Sequence, residues 1–204
     1  MLYYIKSFNP KQNREKIKKY FENIVMPYIE NEGFKGKLME TIFGLSTKEY
    51  IFIVEIENLK AMALYDELFE KETSKEISAN LEKMIKDSDT IVCNDIEDDK
   101  WLILKDKLYH MEYLDIIVEC DIFEDFFMNE AFEYLREKKF KLKVLKVKYG
   151  FSTRKYLFIT EMDEMGDIDN WQSRTSLELK GEKIMDKLVS YVDIPKANIV
   201  KNIY

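Results

Sequence analysis

Apolar positions follow two different periods along this chain, and the two periods alternate. The segments LYYIKSF at 2–8 and LYHMEYL at 108–114 are short, aromatic-rich and bounded by polar residues, so each predicts a strand. Behind each strand, apolar residues recur at helical spacing, between residues 17 and 28 and between residues 123 and 135. Two apolar segments joined by a short polar loop then predict a hairpin, and a second helical region and a short last strand follow. The order β-α-β-β-α-β is therefore predicted twice.

The two series resemble copies of one another. The stretch GLSTKEYIFIVEIE begins at Gly44 and GFSTRKYLFITEMD begins at Gly150, which is an offset of 106 residues (150 − 44). The same offset aligns further positions without a gap, among them Leu2 with Leu108, Tyr3 with Tyr109, Phe21 with Phe127, Tyr28 with Tyr134, and Phe34 with Phe140. Matches at one fixed offset indicate a duplicated unit. We predict a first repeat at residues 1–98, a linker at 99–106 and a second repeat at 107–204.

Proline and glycine positions predict local detail. Pro27 is expected to kink or break the first helix, whereas its counterpart Glu133 is not. Gly33 is expected to end that helix in a left-handed conformation. Gly44 and Gly150, each just before a hairpin loop, predict a close approach of neighbouring backbone or a β-bulge.

The order of elements in each copy is the ferredoxin-like pattern. A sheet of this kind has helices on one face, and a second copy can cover the other face. The hairpin-to-helix stretch GLSTKEYIFIVEIENLKAMALYDEL, its echo GFSTRKYLFITEMD and the β-α-β-β-α-β order resemble the dimeric α+β barrel superfamily, which includes antibiotic-biosynthesis monooxygenase-like domains. The resemblance implies an α+β fold in which two tandem ferredoxin-like repeats pack sheet to sheet as an intrachain barrel. Such a chain is either a monomer, as a pseudo-dimer, or a homodimer.

Side-chain alternation sorts the hairpin strands into an apolar face and a mixed face. We take Leu45 to pair with Tyr50 across the first hairpin. Met39, Phe52 and Val54 then lie on the apolar face, which is expected beneath the helices. The mixed face is expected inside the barrel, with these polar residues on it and on the first strand of each copy: Tyr4, Lys6, Glu40, Glu55, His110, Glu112, Lys146 and Glu161.

Charge and targeting features narrow the class of partner. The 204-residue chain carries a net charge of −7 with a pI near 5.1, which argues against nucleic acid or an anionic membrane as a partner. No apolar run approaches the roughly 20 residues of a membrane span, and the start MLYYIKSFNP is too polar for a signal peptide. Cys93 and Cys120 form no CxxC pair and are expected to be free thiols in a reducing compartment. We therefore expect a soluble cytoplasmic protein.

His110 is the only histidine in the chain. A single histidine excludes multi-histidine zinc sites and leaves a general base, a lone haem ligand or a structural side chain. Some members of the superfamily that the chain resembles bind or degrade haem. In that interpretation His110 is the axial ligand, and Lys6, Lys146 and Lys148 lie on matching faces for the propionates.

Two carboxylates, Glu55 and Glu161, recur at the same place in both copies. Paired carboxylates in a cavity can share protons or hold a substrate base. Alternatively each pairs with a neighbouring lysine, and Lys146 is the partner expected for Glu161. The chain contains no GxGxxG, GxxxxGK[ST] or GxSxG motif, so nucleotide binding and the familiar nucleophilic hydrolases have no support. We expect neither a cofactor nor a metal.

Two functions follow from these observations. One is a non-catalytic binding or stress-related module whose barrel interior is filled by its own side chains. The alternative is a cofactor-independent enzyme, monooxygenase- or isomerase-like, that binds a small molecule in the barrel cavity. Its candidate pocket residues are His110, Tyr4, Glu40, Glu55, Glu112, Lys146 and Glu161. An enclosed cavity of about 300 Å³ or more that reaches His110 would favour the enzyme.

Overall fold

The computed structural model describes residues 1–11, 13–44, 48–97, 103–150, 155–168, 178–193 and 196–204. The strands are β1 (Leu2–Pro10), β2 (Lys35–Gly44), β3 (Tyr50–Ile56), β4 (Ile85–Asp95), β5 (Leu108–Asp115), β6 (Leu142–Tyr149), β7 (Lys155–Met162) and β8 (Lys196–Asn202). The α-helices are α1 (Arg14–Tyr20), α2 (Met26–Asn31), α3 (Leu59–Leu68), α4 (Glu72–Met84), α5 (Cys120–Phe126), α6 (Phe132–Glu137) and α7 (Leu179–Tyr191). The predicted alternation of strands and helices is confirmed, and no helix in these ranges is long and apolar enough to cross a membrane.

The strands form one closed barrel of eight antiparallel members. Their order around the barrel is β1-β3-β2-β8-β5-β7-β6-β4, and β4 pairs back onto β1. The N-terminal strands β1–β4 and the C-terminal strands β5–β8 meet at two hydrogen-bonded seams, β2 with β8 and β4 with β6. Closure leaves no unpaired strand edge, so the chain completes within itself the hydrogen bonding that an open sheet lacks. The α+β class and the barrel are confirmed.

The interior of the barrel is filled by apolar side chains from all eight strands. The buried residues of this cluster are Tyr3, Ile5, Met39, Ile51, Ile53, Ile91, Cys93, Ile103, Tyr109, Met111, Leu145, Val147, Leu157, Ile159 and Val200. An eight-stranded barrel is just wide enough for its own side chains to fill it. Burial raises the pKa of the Cys93 thiol to about 12, so this thiol stays protonated at neutral pH. Within the described residues the interior is therefore a packed apolar core, as the binding-module interpretation expected and the cavity interpretation did not.

The observed register of the first hairpin corrects the predicted one. Glu40 pairs with Tyr50 on β3, whereas the predicted partner of Tyr50 was Leu45, which lies outside the described residues. The shift by an odd number of residues exchanges the two faces of β2 but leaves those of β3 unchanged. Met39 is consequently inside the barrel, and Glu40 is outside it. Phe52, with Val54 and Ile56, lies beneath the helices as predicted.

The first strand of each half also turns the opposite way from the prediction. Tyr3 and Ile5 point into the barrel, so Tyr4 and Lys6, and likewise His110 and Glu112 on β5, point outward beneath the helices. Their predicted place in the interior is wrong. Charged groups lose hydration in an apolar core without compensation, whereas the helices cover the outer face incompletely and leave room for them.

The two seams contain equivalent bulges and glycines. The register shifts between Thr41 and Phe43 at the β2–β8 seam, and between Val92 and Cys93 at the β4–β6 seam. Gly44 has φ +153° and Gly150 has φ +129°, and a Cβ at either position would overlap the neighbouring strand. The predicted close backbone approach and bulges are confirmed, and they occur where the halves join.

The first helical region of each half contains a π-helical turn. The turns occupy Phe21–Val25 and Phe127–Ala131, which are equivalent at the offset of 106 residues. The expectation that Pro27 alone would interrupt its helix is wrong, because the second region has the same interruption without a proline. The predicted left-handed end at Gly33 is confirmed by its φ of 89°.

Candidate functional site

Among the cavities bordered by described residues, two lie at equivalent places between the outer face of the barrel and the helices of the two halves. The larger, called here the Lys6 cavity, has a volume of about 510 Å³. The smaller, called the His110 cavity, has a volume of about 210 Å³. The two share equivalent strand positions, since Tyr4 corresponds to His110 and Lys6 to Glu112 at the offset of 106 residues. The polar residues predicted from the sequence on β1 and β5 therefore do line cavities, but these cavities lie on the outer face of the barrel.

The His110 cavity has mainly apolar walls. The described residues that line it are His110, Glu112, Leu135, Phe140, Leu142, Phe158, Thr160, Ile168, Met185 and Leu188. Strands β5, β6 and β7 form its floor, and α6 and α7 contribute its walls. Because side chains alternate along a strand, His110 and Glu112 point to the same side of β5, and Thr160 is the partner of His110 on β7. Three polar side chains thus converge in an otherwise apolar space.

Glu112 is a carboxylate in apolar surroundings. Burial raises the pKa of Glu112 above its ordinary value. Within the described ranges, Glu112 has neither an ion pair nor a hydrogen bond to another side chain. A second hollow of about 360 Å³ shares Glu112, Met185 and Leu188 with the His110 cavity, so open space adjoins the carboxylate on two sides. A substrate atom can reach the Glu112 oxygens without first displacing a counter-charge.

His110 and Glu112 change their acidity in opposite directions. Burial lowers the pKa of His110, which favours the neutral imidazole at neutral pH. The raised pKa of Glu112 makes this carboxylate a stronger base than an exposed glutamate. Titratable groups whose environments shift their pKa values in this way are characteristic of general acid–base sites.

The Lys6 cavity has a lysine at its floor and aromatic walls. Burial lowers the pKa of Lys6, and the charge of Glu82 opposes this shift in part. Burial likewise raises the pKa of Tyr4, with a hydrogen bond to Thr90 acting in the other direction. The rings of Tyr4 and Tyr65 lie 5.1 Å apart between centroids, and Tyr65 continues to further rings on the helices.

Glu40 and Lys146 lie outside both cavities. Glu40 is 3.7 Å from the guanidinium of Arg14, and Lys146 is ion-paired with Glu124. Each charge is therefore offset within its own half, beneath or beside the first helix. Their predicted place in the barrel interior is wrong for the same reason as that of Tyr4. The side chains that β2 and β6 direct into the core are those of the neighbouring residues, Met39 on β2 and Leu145 and Val147 on β6.

Glu55 and Glu161 lie on the interior face at the ends of their strands, as predicted. Glu55 is paired with Tyr3 across the β1–β3 ladder. Glu161 binds the ammonium of Lys141 at 2.8 Å and lies 3.8 Å from that of Lys107. The lysine interpretation of Glu161 is correct, but the partner expected from the sequence, Lys146, is wrong because the second hairpin has a different register.

The residues around His110 do not fit a haem. The cavity beside His110 is smaller than the roughly 300–1,000 Å³ of typical small-molecule sites. Lys6 lines the other cavity and Lys146 is held by Glu124, so neither cation is available for a propionate at His110. Glu112 adds a negative charge where a porphyrin would carry its own.

Some lining residues were not identified from the sequence. Thr160 corresponds to Val54 at the offset of 106 residues, on a face of β3 and β7 that is otherwise apolar. This polar side chain on an apolar face could have identified Thr160 as a cavity residue from the sequence. Met185 and Leu188 come from α7, whose approach to β5 depends on tertiary packing and has no signal in the sequence.

Comparison with known proteins bears on the fold of the chain. No protein-family model matches the sequence, and no curated protein sequence matches it significantly. The structure is similar to a presumed monooxygenase from Fusobacterium nucleatum, with a TM-score of 0.66 and 13% identity over 100% of this chain and 92% of that one. It is similar to an anthrone oxidase-like protein (TM-score 0.68, 10% identity, 100% and 91% covered) and to a presumed chlorite dismutase (TM-score 0.62, 10% identity, 100% and 94% covered). The chain shares the fold of these solved proteins, an α+β barrel.

Proposed function

We propose that the His110 cavity binds a small, planar, largely apolar molecule with an acidic C–H or O–H group, and that Glu112 removes its proton. The observation that supports this proposal is the position of Glu112 in an apolar cavity beside the only histidine of the chain. Its carboxylate has a raised pKa and no counter-charge among the described residues. A carboxylate with little hydration and a raised pKa is a suitable general base near neutral pH. The volume of about 210 Å³ is below the roughly 300 Å³ expected for an enzyme cavity, so the support for the enzymatic interpretation comes from the position of Glu112 and not from the size of the cavity.

The reaction that fits is cofactor-independent oxidation by O₂. Similar structures carry the names monooxygenase and anthrone oxidase-like, and an anthrone is a planar tricyclic ketone with an acidic CH₂ group. Glu112 takes one CH₂ proton, and the resulting carbanion is oxidised by O₂ to a peroxide anion. The Glu112 proton returns to that anion, and the hydroperoxide loses water to give the ketone. The balance is one CH₂ group and one O₂ converted to one C=O and one H₂O.

His110 and Thr160 act as positioning residues in this proposal. The neutral imidazole offers one donor and one acceptor nitrogen, and the Thr160 hydroxyl offers both functions on the adjacent strand. Hydrogen bonds from these groups to the substrate oxygen would hold the CH₂ group towards Glu112. The apolar walls from α6, β6 and α7 exclude water from the carbanion.

The test measures O₂ consumption and anthraquinone formation from anthrone by the purified full-length chain, with the uncatalysed rate subtracted. We expect Glu112→Gln to lower kcat at least about a hundredfold, as expected for loss of a general base. The matched control is Glu133→Gln, which removes the same charge from the exposed surface of α6 and should keep the wild-type rate. Loss of turnover in both variants, or in neither, would contradict the role of Glu112.

The second candidate is the non-catalytic binding or stress-related module, and the filled barrel interior favours it. Calorimetric titration with anthraquinone separates the two functions. Binding that is weakened by Leu188→Trp, without any turnover of anthrone, would establish the module. Turnover above background establishes the enzyme, and neither binding nor turnover would reject both functions for this class of ligand.

We also propose that the chain arose by tandem duplication, with repeats at 1–98 and 107–204 joined by a linker at 99–106. Equivalent π turns, bulges and glycines at one offset support this proposal. Two free cysteines and the net charge of −7 support a cytoplasmic protein whose partners are small molecules rather than nucleic acid or membrane. Monomer and homodimer are distinguished by sedimentation equilibrium.

A further inference from the structure

We propose that the Lys6 cavity is a second ligand site, which takes a small aromatic carboxylate or a similar planar anion. The site lies in the N-terminal half and is separate from the His110 cavity in the C-terminal half. At the equivalent strand position the two cavities carry opposite charges, Lys6 in one and Glu112 in the other. The two sites therefore differ in the charge of the ligand that they accept.

Lys6 is a cation without a partner at the floor of this cavity. Its ammonium makes no hydrogen bond and no ion pair with any residue in the described parts of the chain. Two other lysines that border buried regions are paired, Lys143 with Asp95 and Lys48 with Asp87. A half-buried ammonium that lacks such a partner is stabilised when a ligand supplies an anion, because the attraction is stronger in a partly desolvated site than in water.

The other charged groups of the cavity lie at its rim. Asp66, Glu82 and Lys86 are exposed, and Asp87 is neutralised by Lys48. Glu82 is the acidic group whose charge acts on Lys6, but it is not within ion-pair distance of the ammonium. Exposed charges are screened by water and salt, whereas an interaction at the partly buried floor is screened much less. The floor of the cavity is therefore positively charged, although its rim carries charges of both signs.

The walls select for a planar ring. Five aromatic residues line the space, namely Tyr4, Phe21, Phe52, Tyr65 and Phe69. Phe21 belongs to the π turn, and π turns are frequent where a helix carries a functional residue. Aromatic faces bind a flat ring by offset stacking or edge-to-face contact. The volume of about 510 Å³ lies within the roughly 300–1,000 Å³ of small-molecule sites.

The test uses 2-naphthoate and its neutral isostere 2-naphthamide, titrated calorimetrically into the full-length chain. We expect 2-naphthoate to bind the wild type more tightly, and Lys6→Met to weaken it at least about tenfold while 2-naphthamide changes by less than about twofold. Glu82→Gln should strengthen 2-naphthoate binding, because it removes the acidic group that acts on Lys6. Lys60→Met removes an exposed lysine of α3 outside the cavity and should bind both probes as the wild type does.

Location is tested by Ser78→Trp, which places an indole into the cavity from α4 and should remove binding of both probes. Circular dichroism and thermal unfolding show whether each variant is folded. Equal binding of 2-naphthoate and 2-naphthamide to the wild type would overturn the proposal. Unchanged 2-naphthoate binding in folded Lys6→Met, or in folded Ser78→Trp, would overturn it as well.

Discussion

Gly44 at the β2–β8 seam provides a direct test of how the barrel closes. A Cβ on Gly44 would lie 2.3 Å from Oδ1 of Asn198, 2.6 Å from its Cα and 2.7 Å from the carbonyl oxygen of Ala197. Two of these three atoms belong to the backbone of β8, so no rotation of a side chain relieves the overlap. Gly44→Ala must therefore either separate the two strands or distort the bulge that precedes this glycine.

Two contributions determine the magnitude. The φ of +153° lies in a region that side chains avoid, and a residue held in such a region costs about 1–3 kcal/mol. Forcing additional volume into a packed contact costs a further 1–3 kcal/mol, roughly. We expect Gly44→Ala to lose about 3 kcal/mol or more of unfolding free energy, a large share of the roughly 5–15 kcal/mol that holds a typical domain together.

Gly33→Ala is the matched control, because it shares the positive φ without the contact. Gly33 has φ +89° and no atom within 4 Å of the added Cβ, so only the backbone cost of about 1–2 kcal/mol applies. Gly150→Ala, whose Cβ would lie 2.7 Å from a methyl group of Ile91, should fall between the two.

Urea unfolding followed by circular dichroism measures these differences as shifts of the midpoint at constant slope. We expect the midpoints to fall in the order wild type, Gly33→Ala, Gly150→Ala and Gly44→Ala. If Gly44→Ala loses no more stability than Gly33→Ala, the seam does not depend on close backbone approach, and the reasoning fails.

Three further outcomes are expected. Asp95→Asn removes the Asp95 carboxylate from the ammonium of Lys143, whose side chain is 1% exposed, and should cost about 3–5 kcal/mol in urea unfolding. Addition of Lys143→Met should restore most of that loss, and a double variant no more stable than the single one would refute the pairing. Because the folded pKa of Glu112 is raised, the fold loses stability as the pH rises from the unfolded pKa of this carboxyl to the folded one. Glu112→Gln should therefore raise the Tm at pH 7 and give no gain below about pH 4, where the carboxyl is protonated in both states. A gain that is independent of pH would contradict burial as the cause. Hemin titration should give no saturable Soret shift, and a shift that is lost in His110→Ala would show that the cavity opens enough to admit haem.

The sequence by itself determined the elements and their order. Local periodicity depends only on neighbouring residues, so the strands of the two halves and the helices between them were readable from apolar spacing. Gly44 and Gly150 were also informative, because only close backbone contact or positive φ requires glycine before a hairpin loop. The free cysteines and the apolar face of β3 follow from the same local information.

Only the tertiary structure decided which face of each strand is inside. A shift of register by an odd number of residues exchanges the faces of a strand, and Glu40 rather than Leu45 pairs with Tyr50 in the structure. Tyr4, Lys6, His110 and Glu112 therefore lie beneath the helices rather than in the barrel. The location of the cavities depends on how closely α4 and α7 approach the sheet, which involves contacts between residues far apart in the chain. Local patterns carry no information on such distances, so the polar residues were recognisable from the sequence, whereas the cavities that they line were not.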